Sequence, residues 1–230
     1  MKAQLLLTPS GAKHLIAKAL IKKLDFSKRI YFAYGLTNQY ILYHLGFKFD
    51  NLYLAGCNYD YKLNVNENRP KPIVLENKKL MDIKDFDINE NDILIKGANA
   101  LWYENGIKQA AVLAADKNGG TYGNFYIKAA CRGSEIIIPV THEKLIPFYY
   151  PTTQNVDLAL GNKVALLRFF SGKVYTEIEA FWDLFNVKAN IIAAGGMLNT
   201  KGAVVFEIEG ENLENVLEFV QKYNCLEIEV

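Results

Sequence analysis

Cysteine, histidine and net charge are all scarce in this chain. Its 230 residues include three cysteines and three histidines, and the formal net charge is +1. Cys57, Cys131 and Cys225 are odd in number and far apart, which argues against a disulfide framework and against a CxxC metal clip. Cys131, at the end of an expected helix, reads as a buried structural thiol. The three histidines are too widely spaced to suggest a zinc site. His14 and His44 have no evident partner and are expected on helix surfaces. No metal and no cofactor is expected. A charge near zero, with no long tract of one sign, argues against a nucleic-acid partner, because phosphate neutralisation needs a concentrated basic face. No apolar run reaches the roughly 18 residues needed to span a bilayer. Met1–Leu7 is too short an apolar stretch for a signal peptide. The expectation is a cytoplasmic protein with no membrane partner.

What is present is a core. Half the residues are hydrophobic and 22% are charged, an ordinary globular balance. Leu5–Leu7 reads as a short buried strand. A helix follows, with Ser10 as its N-cap and Ala12, Leu15, Ile16, Ala19, Leu20 and Leu24 on one stripe. Lys13, Lys18, Lys22 and Lys23 fall largely off that stripe and are expected in solvent. Ile30–Tyr34, the turn Gly35-Leu36-Thr37-Asn38 and a short helix closed by Gly46 make a βα unit. Residues 50–92 are rich in Asn, Asp, Lys and Pro and read as an excursion, with short strands near 52–55 and 72–75. Ile93–Lys96 is a buried strand ending at Gly97. Glu104-Asn105-Gly106 is a hairpin turn within Leu101–Val112. Gly119–Gly123 leads into a helix over Asn124–Cys131 closed by Gly133, and Glu135–Val140 is a further core strand. From Asn162 the pattern reads strand, helix, strand, strand, helix, strand, which is the split-βαβ or ferredoxin-like order.

The fold class this implies is α/β. A Rossmann-like, mostly parallel sheet with helices on both faces occupies residues 1–160, and a small ferredoxin-like α+β domain occupies 161–230.

Open parallel sheets bind ligands outside the carboxyl ends of their strands. Three glycine turns sit at or near such ends, namely Gly35–Asn38, Gly97–Ala100 and Gly119–Gly123. Glycine lets a backbone approach an anion, and N–H groups at a helix start can bind phosphate or carboxylate. Gly35, Thr37, Asn38, Gly97, Asn99, Gly119, Gly120 and Thr121 are therefore the candidate ligand-binding residues. The alternative is that the glycines only make tight turns. No Walker loop or GxGxxG spacing occurs.

Ile30–Gly46, with Gly35-Leu36-Thr37-Asn38, resembles the strand, phosphate loop and helix of the superfamily of ribose-5-phosphate isomerase A, glucosamine-6-phosphate deaminase and the CoA-transferases. Ile93–Leu101, with Lys96-Gly97-Ala98-Asn99-Ala100, resembles that superfamily's strand ending in Gly-Ala-Asp. Gly106–Val140 is also similar to methylthioribose-phosphate isomerase in the order of its hairpin, glycine turn and Pro-Val strand. The resemblance covers about two thirds of the chain. It implies a Rossmann-like fold, a C-terminal ferredoxin-like domain and sugar-phosphate or acyl-CoA chemistry. Two departures stand against the isomerase reaction. Asn99 replaces an acid used in proton transfer, and an amide cannot exchange a proton. No glutamate follows Gly119–Gly123.

The candidate catalytic groups are His142, Glu143 and Glu104. His142 and Glu143 lie in Thr141-His142-Glu143-Lys144 at a strand's carboxyl end, where an imidazole, a carboxylate and the adjoining amine together could move protons near neutral pH. A solvated loop with local ion pairs is the alternative. Glu104, in a Glu-Asn-Gly context, resembles the nucleophilic glutamate of one CoA-transferase class, though its flanking strand-like runs favour a hairpin turn. Thr176, followed by Glu177 and Glu179, reads as a helix N-cap. The favoured function is binding of a small anionic metabolite that carries phosphate or carboxylate, with isomerase or transferase chemistry left open. The second reading is a non-catalytic sensor or assembly module that forms a homodimer.

Overall fold

The structure is a computed structural model that describes residues 1–49, 51–59, 61–66, 71–82, 86–211 and 213–228. In chain order the first elements are β1 (Lys2–Leu7), α1 (Pro9–Lys23), β2 (Ile30–Phe32), α2 (Leu36–His44), β3 (Gly56–Tyr59) and β4 (Lys62–Val65). β5 (Ile73–Glu76), β6 (Lys79–Leu80), β7 (Ile93–Ile95), β8 (Ala100–Glu104) and β9 (Ile107–Ala114) come next. A π-helical turn, Tyr122–Ile127, runs into α3 (Lys128–Arg132) and β10 (Glu135–Pro139). β11 (Ala165–Arg168), β12 (Lys173–Tyr175), α4 (Glu177–Phe185), β13 (Lys188–Ala194), β14 (Val204–Glu209) and α5 (Leu213–Tyr223) complete the chain.

The architecture is mixed α/β. The central sheet has the order β12-β10-β7-β2-β5-β6. β12, β10, β7 and β2 are parallel, whereas β5 and β6 add an antiparallel hairpin beside β2. Two three-stranded antiparallel sheets, β1-β14-β13 and β11-β9-β8, and the β3-β4 pair lie outside it. The expected mostly parallel sheet is thus limited to four strands.

The central strands bury both faces, as continuous apolar runs predict. Ile30, Phe32, Ile93 and Ile95 face one core, shared with α1, α2, α4 and α5. Tyr31, Ala33, Leu94, Ile136 and Ile138 face a second core, shared with Phe125, Tyr126 and Ala129 of the π turn and α3. α1 is buried nearly all round, because it sits among α2, α4, α5 and β1. Its N-cap is Thr8 rather than Ser10, with Gly11 N–H donating to Thr8 Oγ1 at 3.1 Å. Lys13, expected in solvent, is buried and paired with Glu143.

The C-terminal segment departs from the ferredoxin-like expectation. β11 pairs with β9 and β12 with β10, so neither joins β13 and β14. Their sheet is completed by β1, antiparallel to β14. Leu226–Ile228 forms no strand. It lies across α1 and α2, where Ser10 and His14 both bond the Leu226 carbonyl and Tyr40 donates to Glu227. The residues expected to continue it, 229–230, fall outside the described ones. The β3-β4 hairpin replaces the strand expected at 52–55.

Candidate functional site

Three adjacent parallel strands end at one place. β2 runs into Tyr34-Gly35, β7 into Lys96-Gly97, and β10 into the turn His142–Lys144. Their carboxyl ends open onto a cavity of about 350 Å³. Tyr34–Thr37, Lys96–Asn99, Gly119–Thr121 and Lys144 line it, with the end of β9 through Asp116 as a further wall. The three glycine turns picked out by sequence therefore share one cavity.

Lys96 and Lys144 give the cavity its charge. Lys96 Nζ donates to Gly97 O at 3.0 Å and Lys144 Nζ to Ala98 O at 2.9 Å, so consecutive carbonyls hold the two amines. Neither amine has a carboxylate within 4 Å among the described residues. Burial, with the charge of Lys144 added, pushes the Lys96 amine down to about 7. Burial also brings Lys144 down to about 8; Glu143 and Glu177 oppose this shift and Lys13 adds to it. Thr37 is buried, and its Oγ1 has no hydrogen-bond partner among the described residues. It lies in the first turn of α2, whose N-cap Gly35 offers no side-chain bond.

Several sequence expectations need correction. Asn38 does not line the cavity: its amide nitrogen donates to Ala33 O at 2.7 Å and Ile95 O at 2.8 Å, tying β2 to β7. Asn99 does line it, but its Oδ1 accepts from Leu113 N–H at 3.0 Å. The Gly119–Gly123 turn is not an empty anion cradle. Asp116 Oδ1 already accepts from Asn118 N–H at 2.7 Å and Gly120 N–H at 3.3 Å, so the protein's own carboxylate occupies the place expected for a ligand. Gly119 and Gly120 have φ of +80° and +53°, which accounts for glycine at both positions.

Glu104, His142 and Glu143 do not line the cavity. Glu104 ends β8 beside an Asn-Gly turn with both φ values positive, and it pairs with Arg168 at 2.5 Å. The hairpin reading holds. The turn at His142–Lys144 has about three residues per revolution, so consecutive side chains point in different directions. Lys144 reaches the cavity and the two residues before it do not. Buried His142 bonds Glu177 through Nδ1 at 2.5 Å and Tyr103 OH through Nε2 at 3.0 Å. Glu143 pairs with Lys13 at 2.9 Å. Burial opposes ionisation of Glu143, but Lys13 outweighs it and holds the carboxyl below its usual range. Thr176 does cap α4, with Glu179 returning to its N–H.

Two further corrections concern sulfur and imidazole. Cys131 is exposed, not buried. The side chain of Cys57 lies outside the described residues. His14 is fully buried and bonds His44 Nε2 at 2.8 Å, so the two histidines are partners across α1 and α2.

No group of three or more metal-ligating side chains occurs among the described residues, and no helix there is long and apolar enough to cross a membrane. The chain matches no protein-family model, no curated protein and no solved structure.

Sequence reasoning missed Lys96 and Lys144 as site residues. Lys96 directly continues the apolar strand β7 at the end where ligands bind, and Lys144 closes the Thr141–Lys144 motif whose earlier residues were singled out.

Proposed function

We propose that this cavity binds a small metabolite bearing a phosphate or carboxylate. The observation that carries the reading is the convergence on this cavity of Lys96 and Lys144, neither with a carboxylate partner among the described residues. Two ammonium groups in a low-dielectric recess attract an anion strongly, and the amino end of α2 adds to that attraction. The four parallel strands fit a Rossmann-like core, and the cavity's place at their carboxyl ends fits the resemblance to the isomerase and CoA-transferase superfamily.

Proton transfer by a carboxylate receives no support. Among the described residues that line the cavity, Asp116 is the one acidic residue, and it is held in its own turn. We therefore expect no isomerisation of ribose 5-phosphate or methylthioribose 1-phosphate.

The test is thermal unfolding in sulfate and in chloride at equal ionic strength. Sulfate should raise the midpoint, by an amount equivalent to about 2.7 kcal/mol at 100 times its Kd. Lys96→Met and Lys144→Met should remove most of that rise. Equal midpoints in the two salts would reject the site.

A further inference from the structure

We infer that Lys96 is a nucleophilic amine that forms an imine with a small aldehyde or ketone bearing an anionic group, in the cavity where Lys144 holds that group. This rests on the anion-binding reading and names the class of compound within it.

The geometry separates the roles of the two lysines. Lys96 continues β7 and is almost fully buried, yet it lines the cavity. One hydrogen bond, to the Gly97 carbonyl, fixes its nitrogen. Lys144 hangs from the next carbonyl of the same loop, that of Ala98. Burying a second cation beside the first favours the neutral amine at one of them, and a neutral lysine amine is a nucleophile. Lys96 is the one that yields. It is the deeper of the two, and the charged group acting on it is Lys144, whereas Glu143 and Glu177 act on Lys144 and favour its ammonium form. Asp116, the acid in the cavity lining, is engaged by Asn118 and Gly120 N–H groups. Lys96 near neutral pH therefore has an appreciable amine fraction next to a fixed cation.

The step balances without any redox partner. The Lys96 Nζ lone pair attacks the carbonyl carbon as the carbon–oxygen π pair moves onto oxygen. That oxygen takes a proton from the Lys144 ammonium, and the new nitrogen centre returns one to the Lys144 amine. The Lys144 ammonium then protonates the carbinolamine hydroxyl, which leaves as water as the nitrogen lone pair forms the carbon–nitrogen double bond, and the iminium N–H returns that proton to the Lys144 amine. The net change is carbonyl plus amine to imine plus water.

The probes are pyruvate and dihydroxyacetone phosphate, each added to the intact protein with sodium cyanoborohydride. The added reductant converts an imine to a stable secondary amine, read by intact mass and by peptide mapping. One adduct per chain at Lys96 is expected, with labelling suppressed several-fold by sulfate. Lys96→Met should lose the adduct, while the surface control Lys22→Met should keep it. Site mapping on the wild type stands even if Lys96→Met folds poorly. Labelling spread over surface lysines, or placed on Lys144, would overturn the inference. Stabilisation by sulfate without a Lys96 adduct would overturn the imine alone. No stabilisation by sulfate would overturn the anion site itself.

Discussion

Glu177 accepts twice from His142, from its backbone N–H at 2.9 Å and from its ring Nδ1 at 2.5 Å, and both side chains are buried. Glu177 opens α4 and His142 follows β10, so this contact joins two elements at the back of the cavity wall. Removing Glu177 leaves the buried backbone and ring donors of His142 unsatisfied. Glu177→Ala should therefore cost about 1–3 kcal/mol for each donor left unpaired, read in urea unfolding. A loss under about 1 kcal/mol would show that the contact does not hold the two elements together.

Anion affinity should depend on pH through the lysine pair. Both amines lie well below their ordinary value, near 7 and 8. The anion binds the protonated forms, so binding draws in protons wherever a free lysine has lost one. Sulfate affinity should fall as pH rises through 7 to 9, by about tenfold per pH unit for each lysine that must regain a proton. Calorimetry in buffers of different ionisation heat would read the proton uptake directly. Imine trapping at Lys96 should rise as pH passes 7, since it needs the neutral amine, and fall again above about 8, where Lys144 loses the proton that holds the anionic group.

Acid should weaken the fold at the His14–His44 contact. Burial holds both rings below their ordinary value, and His44, with His14 beside it, reaches about 4. The unfolded rings titrate near 6.5. Above that pH both states are neutral and the contact is intact. As pH falls from 6.5 towards 4 the unfolded chain takes up protons that the folded one refuses, so stability drops across this window. Urea midpoints between pH 7.5 and 4.5 should fall less steeply in His44→Gln than in the wild type.

Two glycines of the cavity region should respond in opposite ways to a side chain. A Cβ on Gly123 would stand 2.0 Å from Asn118 O, so the Asp116–Gly123 turn must shift. Gly123→Ala should cost about 1–3 kcal/mol and weaken sulfate binding. Gly35 has open space and an extended φ of 168°, and it occupies a helix N-cap. Gly35→Ser should keep stability within a few tenths of a kcal/mol, because serine is a favoured cap. Comparable losses in the two variants would contradict the turn geometry.

Local chemistry made part of this protein legible in its sequence. Ile30–Phe32, Ile93–Ile95 and Glu135–Pro139 announce buried strands by their unbroken apolar runs, and Asn105-Gly106 announces its turn by the φ it tolerates. The glycine turns at those strand ends pointed to the cavity for the same reason. Partnership at long range was not legible. His14 and His44 sit on different helices, 30 residues apart, and nothing in either helix pattern says that the two rings meet. A lysine such as Lys13 reads as solvated from its own helix, and only the packing of β10's following turn against α1 buries it beside Glu143. Period alone gives the face of a strand but not its neighbour, which is why the spacing groups β11 with β13 and β14 although it pairs with β9.

The pairing of β1 with β14 has a consequence for how the chain is made. Lys2 lies opposite Glu209, and Thr8 bonds Asn224, so β1 leaves the ribosome about two hundred residues before the segments it pairs with. Until then its apolar side chains and open backbone edge are exposed, a state prone to aggregation. Closure of that sheet is a late event of high contact order. Stalled or prematurely terminated chains lacking β14 would carry an unmatched β1, and they should partition into the insoluble fraction during synthesis.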